Sequence, residues 1–207
     1  VDREASLEAR RVIRLLAVAS AFLHFGTNTW GAMFNNFAHD VLALQADQVG
    51  IIQSAREVPG LIGFVMGSIV LVIPEMRMAG LCLALVGGGL LLSGQATGFG
   101  MFLAGSTITS VGFHFFEVTN VSLALTFCRR EHAPRVLSIL SSIGAATSVA
   151  GALTVIALAR PLGFRPLFYV IGVLALAGAL VVLVLGNQAG AKEIPRRAVF
   201  RRRYWLY

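Results

Sequence analysis

Charged side chains are scarce in this sequence. Only 13% of its 207 residues are Asp, Glu, Lys or Arg, where a soluble domain carries about a quarter. Together with a mean hydropathy of +0.78, that scarcity excludes an ordinary water-soluble domain. Cysteine is nearly missing too. Cys82 and Cys128 are too few for a disulfide framework and are not spaced as a metal site, so neither metal nor cofactor is expected. There is no GxSxG, no HExxH and no pair of Asp residues, which leaves a hydrolase without its chemistry, and no enzyme is expected. No apolar run alternates with period two, which excludes a transmembrane barrel.

What the chain does have is long apolar runs. Six can be marked, at about 12–36, 49–73, 78–96, 100–127, 136–159 and 166–186. A helix needs roughly 17–25 such residues to cross a bilayer. The first is too long and too polar for a cleaved leader. Short links such as PEMRM and CRREHAPR make successive helices antiparallel neighbours. The expected fold is an all-α membrane protein: a tail over 1–11, a six-helix bundle over 12–186, and a basic connector over 187–207.

The basic residues cluster at one side of that bundle. Four (Arg3, Arg10, Arg11, Arg14) lie before or in the first turn of the first span, one (Arg77) follows the second, three (Arg129, Arg130, Arg135) follow the fourth, and six lie beyond the sixth. Only Arg56, Arg160 and Arg165 of the 17 fall elsewhere. Lys and Arg mark the cytoplasmic side, so both ends of the chain are expected there, with a bacterial inner membrane as the setting. The same asymmetry accounts for the pI of 10.7. Nucleic acid is not an expected partner, because no binding module accompanies the basic tail.

Polar residues inside the spans form stripes. At 100° per residue, Ser20, His24, Thr27, Asn28, Gly31 and Asn35 share an arc of roughly 100° on the first helix. Thr107, Ser110, His114 and Glu117 share one of roughly 80° on the fourth, and Asn120 extends it. Polar stripes in a membrane face the bundle interior or water. His24 and His114 both lie about 18 Å from the basic side, near the midplane. Facing stripes make one polar site from His24, Asn28, Asn35, His114, Glu117 and Asn120, suited to a small solute or a proton. Arg56 and Glu57 lie about 12 Å below the opposite surface, as an intramembrane charge pair or a gate. The second and fifth spans carry small-residue faces, Gly60, Gly63 and Gly67 on one and Ser141, Gly144, Ala145, Ser148 and Ala152 on the other, which are packing surfaces. The third and sixth are nearly devoid of polar groups and look peripheral.

Striped helices 1 and 4, small-residue helices 2 and 5 and bland helices 3 and 6 together resemble one half of a major facilitator superfamily transporter. FLHFGTN (22–28) and GFHFFEVTN (112–120) echo each other, and Arg135 follows Pro134 in CRREHAPRVLS as in the family's link between helices 4 and 5. The family's signature between helices 2 and 3 survives only as Gly67, Glu75 and Arg77, and its charge early in helix 4 is absent from FLAGSTITSVGF. The resemblance implies two inverted three-helix repeats and secondary active transport by alternating access, as a symporter or antiporter. It also implies a partner for the polar face: a C-terminal six-helix half of the same full-length chain, which RRRYWLY would introduce as a seventh helix, or a second copy.

Two other readings belong to different classes. One is a non-transporting scaffold or receptor bundle. The other is a haem protein using two mid-membrane histidines. If the charge asymmetry sets topology, a single cysteine at Gln45 reacts with an impermeant thiol reagent on intact cells and one at Ser6 does not. Outside labelling at Ser6 overturns the six-span topology.

Overall fold

The computed structural model describes residues 2–65, 69, 73–128 and 130–186, with backbone alone for residues 2–6 and 64. Among the described residues six α-helices are laid out in full: α1 (Asp2–Asn36), α2 (Ala46–Leu61), α3 (Glu75–Gln95), α4 (Phe99–Phe127), α5 (Ala133–Leu162) and α6 (Phe164–Gly186). No strand occurs among the described residues. α3, α4, α5 and α6 are long and apolar enough to cross a membrane. α1 has the length but carries charged first turns and a polar stripe. α2 is 16 residues long and contains Arg56 and Glu57.

α1 begins inside the tail expected over 1–11 and is already helical from Asp2. Ala, Leu, Glu and Arg, all good helix formers, dominate that stretch. The second span is not one continuous helix over 49–73. α2 ends at Leu61 and gives way to a short 3-10 turn at Gly63–Val65. Pro59 has no N–H to donate to the preceding turn, and Gly60 and Gly63 on either side of the break weaken helix further. Residues 66–68 and 70–72, with Gly67, lie outside the described residues, as do Arg129 and the 187–207 connector.

Close helix contacts are made at glycines. A Cβ added to Gly112 of α4 would lie 2.5 Å from the Cys82 carbonyl and 2.9 Å from the Val86 nitrogen of α3. One added to Gly87 of α3 would lie 2.9 Å from the Gly172 carbonyl of α6. α3 is therefore held between α4 and α6, more enclosed than its bland composition suggests, with Leu81, Leu85 and Gly88 left exposed. α1 packs on α5, where Gly151 leaves room for Thr29, and on α6; α2 packs on α4. Without a hydrophobic drive between helices in lipid, such close approach is the main source of association. The small-residue seam of α5 splits. Gly144 and Gly151 meet α1, whereas Ser141, Ala145 and Ser148 stay exposed.

One end of the bundle is fixed by aromatics and one cation. The rings of Phe34, Phe37, Phe102 and Phe168 join α1, the π-helical turn Phe37–Val41, α4 and α6, with centroids 4.7–5.3 Å apart at the closest contacts. Arg165 donates to the carbonyls of Gly94 and Ala96, each at 2.7 Å, and so satisfies the otherwise open C-terminus of α3. Gly163 between α5 and α6 adopts φ of 78°, the left-handed region that favours glycine.

Gly112→Ala is expected to destabilise the bundle by about 1–3 kcal/mol, because backbone rather than a flexible side chain stands in the way. Gly88→Ala, with open space around it, should be neutral or slightly stabilising. Thermal unfolding of the two variants in detergent checks the contrast, and equal midpoints would mean that α3 and α4 pack differently.

Candidate functional site

The middle turns of α1 and α4 lie against each other. His24 of α1 brings Nε2 to 3.4 Å from Oε1 of Glu117 on α4. That is long for a hydrogen bond, and the buried Oε1 has no hydrogen-bond partner among the described residues. The rest of the carboxylate is open, the Glu117 side chain being 40% exposed against 17% for His24. One turn earlier on α4, His114 turns to a different helix. Its Nε2 lies 4.0 Å from Oε2 of Glu57 on α2, a carboxylate 71% exposed. The site is therefore two histidine–carboxylate couples, with α4 contributing to both.

Each imidazole rests on a glycine. A Cβ at Gly144 of α5 would stand 3.2 Å from the His24 ring, and one at Gly60 of α2 would stand 3.0 Å from the His114 ring. Phe113 lies edge-on to His24, with centroids 6.2 Å apart. These contacts hold the rings in place while the carboxylates stay accessible.

The polar lining continues toward the end of α4. Asn120 donates to the hydroxyl of Ser20 at 3.3 Å, and its buried carbonyl oxygen has no partner among the described residues. Thr27 turns back to the Leu23 carbonyl at 2.9 Å, which leaves it little for a ligand. Asn28 is half-buried and Asn35 exposed. The structure thus brings His24 to Glu117 and Asn120 to Ser20, and His114 to Glu57. The two histidines are engaged by different helices.

Among the described residues no direct N–O contact within 4.0 Å joins Arg56 to Glu57. Neighbours on a helix diverge by about 100°, and each side chain goes its own way. The Arg56 guanidinium lies over the Trp30 ring, 4.0 Å from its centroid, and 5.5 Å from that of Phe34. It also donates to the Gln53 side chain, and Ser110 donates to the Arg56 carbonyl. Arg56 therefore ties α2 to α1 and α4, and its buried Nε lacks a partner among the described residues. Arg77, Arg130 and Arg135 are exposed near the far end of the bundle. Glu75, beside Arg77, accepts from the Ser122 hydroxyl at 3.0 Å and joins α3 to α4.

Sequence reasoning missed Trp30, because it falls off the polar stripe; an aromatic within one helix contact of a deep Arg is the signal available. It also read Gly60 and Gly144 only as packing positions and not as seats for imidazoles.

A family model described as Major Facilitator Superfamily matches residues 15–205. No curated protein gives a significant match.

The stacking of Arg56 on Trp30 yields a direct test. A double-mutant cycle of Arg56→Met and Trp30→Leu, read by denaturant unfolding, should give a coupling of about 0.5–2 kcal/mol. Additive effects would remove this contact from the links between α1 and α2.

Proposed function

The chain belongs to the major facilitator superfamily, and from that premise we propose that it moves a small solute by alternating access, coupled to protons held on its two histidine–carboxylate couples. Members of the family are membrane transporters rather than enzymes, and the apolar helices identify an integral membrane protein. The observation that carries the more specific reading is the placement of His24 at 3.4 Å from Glu117 and His114 at 4.0 Å from Glu57. A carboxylate near the bilayer centre costs about 2.5–3.5 kcal/mol on insertion scales unless it has a partner, water or a bound proton. Binding of a proton or a cationic group to Glu117 relieves that cost, and its release restores it. This is the energetic lever a coupled carrier needs.

The glycine seats support a reading of the six helices as two inverted three-helix repeats. Such a repeat exchanges α1 with α4 and α5 with α2. His24 on Gly144 then corresponds to His114 on Gly60. The exposure of Glu57 and of Ser141, Ala145 and Ser148 supports a further six-helix half across from α2 and α5, on the same full-length chain or as a second copy. The solute would bind between the two halves, and both ends of this half would face the cytoplasm of a bacterial inner membrane.

Glu117→Gln keeps the shape and removes the ionisable group. In vesicles holding the full-length transporter and a pH-sensitive dye, a panel of organic cations, sugars and small carboxylates should reveal a solute that moves protons. That proton movement should fall at least about tenfold in Glu117→Gln, the scale of one lost charge interaction of roughly 1.4 kcal/mol, with unchanged insertion. Wild-type rates and pH dependence in this variant would take Glu117 out of the coupling.

A further inference from the structure

A separate group of cations lies at the N-terminal end of α1. Arg10, Arg11 and Arg14 occupy little more than one turn, and all three are exposed. Like charges at this spacing repel one another. Arg11 donates to the Leu185 carbonyl at 3.4 Å, which ties it to the last turn of α6. Arg10 and Arg14 form no ion pair with another of the described residues.

These arginines line a cavity of about 300 Å³ between α1 and α6. Its lining has two parts. The three arginines form one, and Leu15, Val18, Val181 and Leu185 the other, with Leu7 one turn before Arg10 and Arg11 closing the outer edge. Val18 follows Arg14 by one helical turn, about 6 Å further along the axis. A free inorganic anion would use only the charged part. A phosphate joined to an acyl chain uses both at once, with the phosphate at the surface and the chain running inward along the helices.

We propose that this cleft binds an anionic phospholipid, its phosphate on Arg10, Arg11 and Arg14 and the start of an acyl chain against Val18, Val181 and Leu185. Planar guanidiniums suit phosphate oxygens through paired hydrogen bonds, and basic pockets between membrane helices take lipid headgroups. The bound lipid offsets the repulsion within α1 and bridges it to α6. The site is remote from the histidine–carboxylate couples and does not depend on what they carry.

The test uses the purified full chain in neutral detergent, titrated with short-chain phosphatidylglycerol, phosphatidylcholine or inorganic phosphate, with bound lipid counted by native mass spectrometry. Phosphatidylglycerol should bind well above phosphatidylcholine. Arg10→Gln with Arg14→Gln, which leaves the Arg11–Leu185 bond in place, should weaken it roughly 30-fold, at about a fivefold loss per arginine. In the unaltered protein, raising the salt to about 0.5 M should weaken phosphatidylglycerol but not phosphatidylcholine, since screening acts on the charge alone; this arm stands even if the double variant does not fold. Equal binding of the two lipids, a salt-insensitive preference, or a folded double variant that keeps the preference would overturn the proposal. So would competition by inorganic phosphate at matching concentration, which would make the cleft a site for free anions.

Discussion

The cost of an ionisable side chain away from water governs this bundle. Glu117 on α4 sits among apolar turns, and a lone charge there is worth several kcal/mol against folding in lipid. That cost dictates which helices must touch. α1 has to meet α4 so that His24 can stand 3.4 Å from Glu117. α2 has to meet α4 so that Glu57 and His114 approach, and it also brings Arg56 onto Trp30. The polar contacts select the arrangement, and the glycines let the backbones come close enough to make it. Gly144 and Gly60 serve both purposes, since they are packing positions that also admit an imidazole.

The remainder of the bundle is a rigid frame around that selection. α3 has no charge between Met78 and Gln95 and contributes backbone proximity instead, through Gly87, Gly89 and its contact with Gly112. Arg165 and the phenylalanine cluster close one end, and Glu75 with Ser122 joins α3 to α4 at the other. Between these two ends the couples are loosely engaged, at 3.4 and 4.0 Å. An interior full of short, saturated hydrogen bonds would be more rigid.

Much of this was legible from the residues alone because helix geometry is so regular. A rotation of 100° and a rise of 1.5 Å per residue put His24 and Glu117 each on a polar stripe at similar depth, whereas the approach of the two stripes is seen only in the structure. The partner of His114 was not legible. It depends on how α2 is rotated, and periodicity is weak in a 16-residue helix that contains Pro59 and stops at Leu61. The break itself was not legible because 62–73 is apolar apart from Ser68, and hydropathy carries no information about backbone continuity. The α5 seam shows a different limit. Small residues say that another helix can come close, but Gly144 and Ser148 look alike in sequence while one meets His24 and the other is exposed.

The departures from the family's usual signatures take on a meaning when set against these contacts. The chain lacks a charge in FLAGSTITSVGF at the start of α4, so the cation near that end of the bundle has to come from elsewhere. Arg56 occupies that region from α2, one hydrogen bond from Ser110 of α4 through its own carbonyl. Its guanidinium is held by an aromatic face rather than by a carboxylate. A cation held this way keeps most of its hydrogen-bonding capacity, since a ring satisfies charge but accepts few N–H bonds. Glu57 next to it is likewise only loosely engaged, at 4.0 Å from His114. The two neighbours therefore present an acid and a base that are each stabilised but not saturated.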